Sequence, residues 1–225
     1  MKTRHKILSA FLIVALLAIG GAWWLFASLD GLVKQAIERW GPEITGVSIK
    51  VQSVRIEAAQ GRGAIRGLVV GNPKGFKSPQ ALKLAEMRLT LDPASVTKDV
   101  VVIRELVLVA PEVSYERGQG SDNMTVIQRN VDRWVTKHAG AKPDAGPGKK
   151  FVIENLRIQN GKAQLGTTLS VPMPDLHLRE VGKKSGGATA GEVVKGVWDA
   201  MLRSVTNLAG RAGSAIKDGW NKLFK

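Results

Sequence analysis

Residues 61–76 read GRGAIRGLVVGNPKGF, with five glycines in sixteen positions. Gly61, Gly63 and Gly67 give G-x-G-x-x-x-G, one residue off the dinucleotide-binding fingerprint. That loop must follow a strand and open a helix, because the helix N-terminus holds the pyrophosphate. Here Leu68, Val69 and Val70 follow with strand character, and Asn72-Pro73 bars a helix from starting. The glycines therefore read as a turn at Gly61–Gly63, a kink at Gly67 and a loop over Gly71–Gly75. The stretch belongs to a β-rich body with no phosphate cradle.

The flanks carry the same period. Val47, Ile49 and Val51 alternate with polar residues, and after a slip at Ser53 so do Val54, Ile56 and Ala58. Such a slip marks a bulge. Ile65 to Val70 is a short strand bounded by glycines. Leu82, Leu84, Met87, Leu89 and Leu91 form another, with a phase slip at Ala85-Glu86. Val100 to Val109 and Glu112 to Arg117 follow closely, which points to an antiparallel meander rather than βαβ units. Beyond residue 150, Phe151, Ile153, Leu156 and Ile158 restart the pattern. Asn160-Gly161 reads as a hairpin turn. Ala163 to Val171 and Leu176 to Val181 are two further strands, with Pro172 and Pro174 between them.

Three segments have helical period. In Leu29 to Trp40, LDGLVKQAIERW, the residues Leu29, Leu32, Val33, Ala36, Ile37 and Trp40 form one stripe, and Gly41-Pro42 is expected to end it. Ser121-Asp122-Asn123 caps a second helix, whose stripe of Met124, Ile127, Val131, Trp134 and Val135 fades near His138. From Glu192 to Lys225 apolar residues recur mostly every three or four positions, with basic residues largely off the stripe. Such a helix can lie in a membrane interface, where Trp198 and Trp220 would sit, or pack on the sheet. Residues 139–150 read as a linker and 182–191 as a flexible hinge.

The N-terminus reads as a membrane anchor. Residues 1–6 are basic, and Ile7 to Phe26 carry no charge. A helix of about twenty apolar residues spans a hydrocarbon core. Trp23 and Trp24 fall where indoles favour the interface, and the leading basic residues favour a cytoplasmic N-terminus. A cleaved signal peptide is the competing reading, but its apolar region would run roughly 7–15 residues. The expected division is a tail 1–6, an anchor 7–28, a β-rich domain 29–138 with two helices, the linker, strands over 151–181, the hinge and a helix 192–225. The expected fold class is α+β and membrane-anchored, with a curved antiparallel meander. The expected location is a bacterial inner membrane, single-pass, with a periplasmic body.

The formal net charge of +14 favours anionic partners. An extracytoplasmic body makes phospholipid the expected one, and no nucleic acid is expected. Without cysteine there are no disulfides, thiolate metal sites or Cys nucleophiles. His5, His138 and His177 are far apart and give no metal-ligand spacing. Glu57, Glu86 and Glu105 alternate with apolar residues, as on a solvated sheet face. No convergent set of acids, bases or nucleophiles emerges, so no catalytic residue, metal or cofactor is expected and the chain does not read as an enzyme.

The order of elements resembles the N-terminal part of the AsmA-like family of bacterial envelope proteins. The resemblance covers about residues 1–131. It rests on the anchor followed by LDGLVKQAIERW, on TGVSIKVQSVRIEAAQGRGAIRGLVVGNPKGF, on KLAEMRLTLDPAS with VVIRELVLVAPEVSYER, and on SDNMTVIQRNV. It implies an architecture shared with chorein-type, bridge-like lipid transfer proteins, in which a curved sheet shields acyl chains. Ile49, Val51, Ile56, Leu84, Leu89, Leu106 and Leu108 would then be lipid-facing. Full members are several times longer, and about eight strands at ~4.8 Å spacing make a groove of roughly 40 Å at most. The implied function is acyl-chain binding in phospholipid transport or outer-membrane maintenance, with the inner membrane and phospholipid as partners. The alternative is a non-enzymatic adaptor of an envelope complex that associates with other envelope proteins or with itself.

Overall fold

The computed structural model describes residues 29–138, 149–166 and 168–223, with side chains of the last helix described as far as Ser214. Helix α1 spans residues 29–45. The strands are β1 (Ile49–Lys50), β2 (Ser53–Glu57), β3 (Arg62–Gly71), β4 (Gln80–Leu91) and β5 (Val100–Tyr115). Helix α2 (Asn123–His138) precedes β6 (Lys150–Gln159), β7 (Lys162–Leu165), β8 (Leu169–Pro172) and β9 (Leu176–Val181), and α3 (Ala190–Leu223) closes the chain. All nine strands join one sheet in the order β1-β3-β4-β5-β6-β9, with β2 on β3, β7 on β5 and β8 on β7.

The sheet is mixed, which corrects the antiparallel meander. Strands β1 to β5 are antiparallel, but β6 and β7 run parallel to β5. The chain leaves β5 at Tyr115, passes through α2 and re-enters at Lys150, a β-α-β crossover. Parallel neighbours require a connection of this kind, about a dozen residues or more and usually a helix. The membrane-anchored class and the single-pass inner-membrane location, with cytoplasmic N-terminus and periplasmic body, are corrected as well. Among the described residues no helix is long and apolar enough to cross a membrane. The 7–28 stretch that suggested an anchor lies outside them, as do Trp23 and Trp24.

A transverse line of irregular residues shapes the sheet. The registers align Gln52, Gly67, Ala85, Ala110 and Asn160 across neighbouring strands. Gly67, Ala110 and Asn160 have φ of 60°, 50° and 56°. The inward set changes phase there: Leu84 and Met87 on β4 both line the same side, as do Leu68 and Ile65 on β3. The slips at Ser53 and Ala85-Glu86 are single-strand views of this line. The same line explains Asn160-Gly161. This pair makes no hairpin; β6 and β7 keep one register along β5 on either side of it. The hairpin turn comes later, between β7 and β8, where Gly166 has φ 65°. Pro111, which lacks a donor, sits in the central strand where the ladder is already interrupted.

Gly67 has a second constraint, because a Cβ there would lie 2.7 Å from Gln52 Cβ. Left-handed backbone costs an L-residue roughly 1–2 kcal/mol, and the clash adds to it. Gly67→Ala should therefore destabilise the protein by about 2–3 kcal/mol, read as a lowered urea midpoint. Gly63 has only the Arg55 carbonyl near its would-be Cβ, at 3.8 Å, so Gly63→Ala should be neutral.

Among the described residues, the three α-helices lie on one face of the sheet. The core is built from Leu106, Leu108, Val113, Ile153, Leu156 and Ile158 of the strands. Met124, Ile127 and Val131 of α2 and Trp198, Met201 and Val205 of α3 pack on them. The opposite face carries ion pairs such as Arg66–Glu86 at 3.0 Å, Arg62–Glu57 at 2.9 Å and Arg157–Glu105 at 3.4 Å, so these glutamates sit on an outer, charged face.

Helix α2 is anchored at its start. Asp122 caps it, accepting from the Thr125 backbone N–H at 2.8 Å. Asn123 is fully buried; its amide donates to Asn72 Oδ1 and to the Ser114 carbonyl, and its Oδ1 accepts from the Glu116 N–H. The Glu116 carboxylate in turn accepts from the backbone N–H groups of Lys77 (2.6 Å) and Ser78 (2.9 Å). The NPKGF loop and the SDN cap, two of the segments that carry the family resemblance, thus lock together. The Lys77 and Ser78 N–H groups hold the Glu116 carboxyl below the usual glutamate range. Its folded pKa is lower than its unfolded one, so its stabilisation is present above the unfolded value and is lost as pH falls through the folded one. Glu116→Gln should lower stability at neutral pH, and the gap from wild type should close as the pH drops below about 4. Urea midpoints measured across pH test this.

Helix α3 starts earlier than the sequence suggested. Thr189 and Glu192 form a capping box: the Glu192 N–H donates to Thr189 Oγ1 at 3.2 Å, and the Thr189 N–H donates to Glu192 Oε2 at 2.7 Å. The 182–191 segment is no free hinge, because Phe151 and Ala188 exchange backbone hydrogen bonds at 2.7 and 2.8 Å. Gly191 then lets α3 meet α2 closely; a Cβ there would lie 2.7 Å from the Trp134 ring.

Candidate functional site

Helix α1 runs along the β1–β2 edge of the sheet. One of its faces is polar at four-residue intervals. Asp30 accepts from the Ile56 N–H at 2.8 Å, Lys34 donates to the Gln52 carbonyl at 3.2 Å, and Glu38 accepts from the Val51 N–H at 2.8 Å. These contacts occupy backbone groups that an edge strand would otherwise leave open. They also fix the rotation of α1. With Asp30, Lys34 and Glu38 on the strand edge, the stripe of Val33, Ala36, Ile37 and Trp40 turns over the sheet face.

That stripe does not close onto the sheet along its whole length. It comes down at its C-terminal end, where a Cβ on Gly41 would lie 2.9 Å from Ile49 Cδ1. The helix runs on through Gly41-Pro42 to residue 45 and stops at Gly46, φ 71°, rather than ending at Trp40. Asn130 of α2 donates to the Thr45 carbonyl at 2.8 Å and holds this end in place. On the far side α3 supplies a second wall through Val193, Val194 and Val197. Between the helices lies an apolar groove of about 450 Å³, floored by Ile65, Leu68, Leu82, Leu84, Met87 and Leu106. Trp40 is 57% exposed and Val194 37%, one on each wall.

The chemistry of this groove is uniform. Thr45 and two indoles bring the polar side-chain atoms of its lining. The Thr45 hydroxyl is committed to the Gly41 carbonyl at 2.8 Å, and the Trp198 indole N–H donates to the Met124 carbonyl at 3.0 Å. No carboxylate, histidine or lysine lines it. Among the described residues no group of three or more His, Asp or Glu is placed to hold a metal ion. The groove suits hydrocarbon, and its volume lies within the roughly 300–1,000 Å³ usual for ligand pockets.

The chain matches no family model, no curated protein and no solved structure.

Of the residues expected to face lipid, Ile49, Leu84, Leu106 and Leu108 line the groove. Val51 is buried beneath α1, with its N–H on Glu38. Ile56 lies on the edge strand β2, with its N–H on Asp30. Leu89 packs against the core farther along β4. Trp198, expected at a membrane interface, is 5% exposed and belongs to the core. The Trp220 side chain lies outside the described residues. Sequence reasoning missed the helical walls as part of the site. The α1 stripe was legible as a stripe, but nothing in a one-dimensional pattern says that it stands off the sheet.

Proposed function

We propose that this chain is an AsmA-like, non-enzymatic protein that binds a lipid acyl chain in the groove between α1 and α3 and takes part in phospholipid transport. The observation that carries this reading is the groove's lining, apolar on floor and both walls, with the Thr45 hydroxyl and the Trp198 indole committed to backbone carbonyls. Each methylene transferred from water contributes about 0.8 kcal/mol, so even a partly inserted chain gains several kcal/mol before the cost of ordering. The split cover of the sheet supports the same reading. Helices α2 and α3 seal one part of its apolar face into a core, and α1 leaves the other part accessible. A long-chain fatty acid added to the purified protein should raise its thermal midpoint in a saturable way, because binding to the folded state alone stabilises it. A midpoint that does not move at saturating fatty acid would count against the proposal.

The adaptor reading draws on a different feature. Beyond Ala209, α3 continues to Leu223, and the would-be Cβ positions of Gly210 and Gly213 meet nothing within 4 Å. Gly210, Arg211, Gly213 and Ser214 are exposed there, and an exposed stretch of helix offers a surface to a partner. Truncation after Ala209 should leave the fold intact and abolish assembly if that reading holds.

A further inference from the structure

The two edges of the sheet differ in how they are covered. At the β1–β2 edge, Asp30, Lys34 and Glu38 of α1 occupy backbone groups that would otherwise stay open. The opposite edge is formed by β8 and β9. β8 is short and ends at Pro172, and with Pro174 this blunts its half of the edge, since proline offers no donor. β9 contains no proline, and among the described residues no strand pairs with its far side. The ladder shows which groups are left over. Phe151 exchanges both of its backbone bonds with Ala188 on the β9 side of β6, while the Lys150 N–H turns to the Asp99 carbonyl on the β5 side. Alternation along β6 then puts Asn155 and Arg157 in bonded pairs with Arg179 and His177. The N–H and C=O groups of Leu176 and Leu178 therefore point away from the sheet.

A recess of about 410 Å³ runs along this free edge beneath α3 and shares no lining residue with the groove. Leu176 and Leu178 line it from the sheet, and Ala200 and Leu208 from the helix. His177 lines it as well, although its side chain turns to the outer face and meets Asn155 at 3.1 Å, so the recess reaches the backbone edge itself. Arg203, Asn207 and Arg211 recur every four residues along its rim, spanning about 12 Å of helix, the length of about four strand residues. A further strand fits under this overhang, its main chain paired with Leu176 and Leu178 and its alternate side chains in the recess. Charge decides between occupants. A two-fold axis at β9 keeps both α3 helices on one face, so a second copy would set the ridge of Arg203, Asn207 and Arg211 against the same ridge of its partner. Like charges then oppose. An extended segment of a different protein, uncharged or acidic where it passes the ridge, meets no such repulsion.

We propose that β9 is a docking edge, extended by a strand from a partner protein whose alternate apolar side chains fill the recess under α3. A display library of random heptapeptides, panned against the immobilised full chain, supplies the probe. Peptides that enrich should carry apolar residues at alternate positions. A bound peptide should slow amide hydrogen exchange at Leu176 and Leu178, whose N–H groups it takes up. Leu178→Pro removes one of these donors and spares the β6 ladder, so it should weaken the peptide about tenfold or more. Leu178→Ala keeps the donor and should bind more tightly than Leu178→Pro. No enrichment, unchanged exchange at both amides with peptide bound, or equal affinity for wild type and Leu178→Pro overturns the proposal. An equal loss on both substitutions would show that the peptide reads the side chain rather than the backbone, which also overturns strand addition. Exchange that slows with protein concentration in the absence of peptide would place a second copy on the edge and overturn the choice of partner.

Discussion

Asn123→Ala is expected to lower the unfolding free energy by about 3–5 kcal/mol, a large effect for one polar side chain. The side chain is fully buried and makes three hydrogen bonds: to Asn72 Oδ1 at 2.8 Å, to the Ser114 carbonyl at 2.7 Å and from the Glu116 N–H at 2.9 Å. Truncation leaves two acceptors and one donor without partners in a dry site. Each such group costs about 1–3 kcal/mol, reduced where a neighbour or water can shift in. The loss would spread beyond the site. Asn72 also donates to the Ser78 carbonyl, and Glu116 grips the same loop, so the NPKGF segment and the start of α2 would loosen together. With a total stability of about 5–15 kcal/mol, the variant would be marginal at 37 °C. Asn72→Ala removes one of the three partners and should cost less, about 1–2 kcal/mol. Urea unfolding of the two single variants and the double variant measures the coupling; strictly additive effects would show that Asn72 and Asn123 do not act as one unit.

The second large effect is on binding. Ala36 stands on the groove side of α1, with open apolar space before it. Ala36→Trp should place an indole in the volume assigned to the acyl chain. Excluding about five methylenes at ~0.8 kcal/mol each removes about 4 kcal/mol, or roughly a thousandfold in affinity. The fold should tolerate it, because the side chain enters existing space and α1 keeps its three polar contacts to the sheet edge. Ala36→Ser changes volume little and should retain most of the binding. Competition against a fluorescent fatty acid measures both. Equal affinity in wild type and Ala36→Trp would place the ligand elsewhere.

The sequence made the local grammar of this protein readable, and lateral relations stayed hidden. The slips at Ser53 and Ala85-Glu86 were visible because a single strand records its own phase. That Gln52, Gly67, Ala85, Ala110 and Asn160 lie on one line is a property of register between strands. The conformational demand at Asn160-Gly161 was also legible, since that pair readily takes positive φ. Its use as a kink between β6 and β7 follows from β5, along which both strands keep one register. The meander expectation failed at α2, where the chain had room for a crossover that strand spacing does not register. The capping box at Thr189 and Glu192 was present as T-x-x-E but was obscured by the glycines around it.

The site was legible in the same uneven way. Ile49, Leu84, Leu106 and Leu108 were singled out as what the family resemblance implies, each within a readable apolar strand run. The α1 stripe looked like any amphipathic helix seeking a surface. Its standoff from the sheet depends on Asp30, Lys34 and Glu38, whose i, i+4, i+8 spacing matters only once a strand edge lies beside them. Trp198 illustrates the converse. An aromatic residue on a basic helix fits a membrane interface as well as a core, and only the Met124 carbonyl beneath it decides the matter.

Native mass spectrometry of the full chain, released in nonionic detergent alongside Ala36→Trp, tests the central claim most directly. The groove account predicts a wild-type species that carries lipid of acyl-chain type and an Ala36→Trp species stripped of it. A wild-type protein that carries only detergent, or an Ala36→Trp protein with the same lipid load, would contradict it.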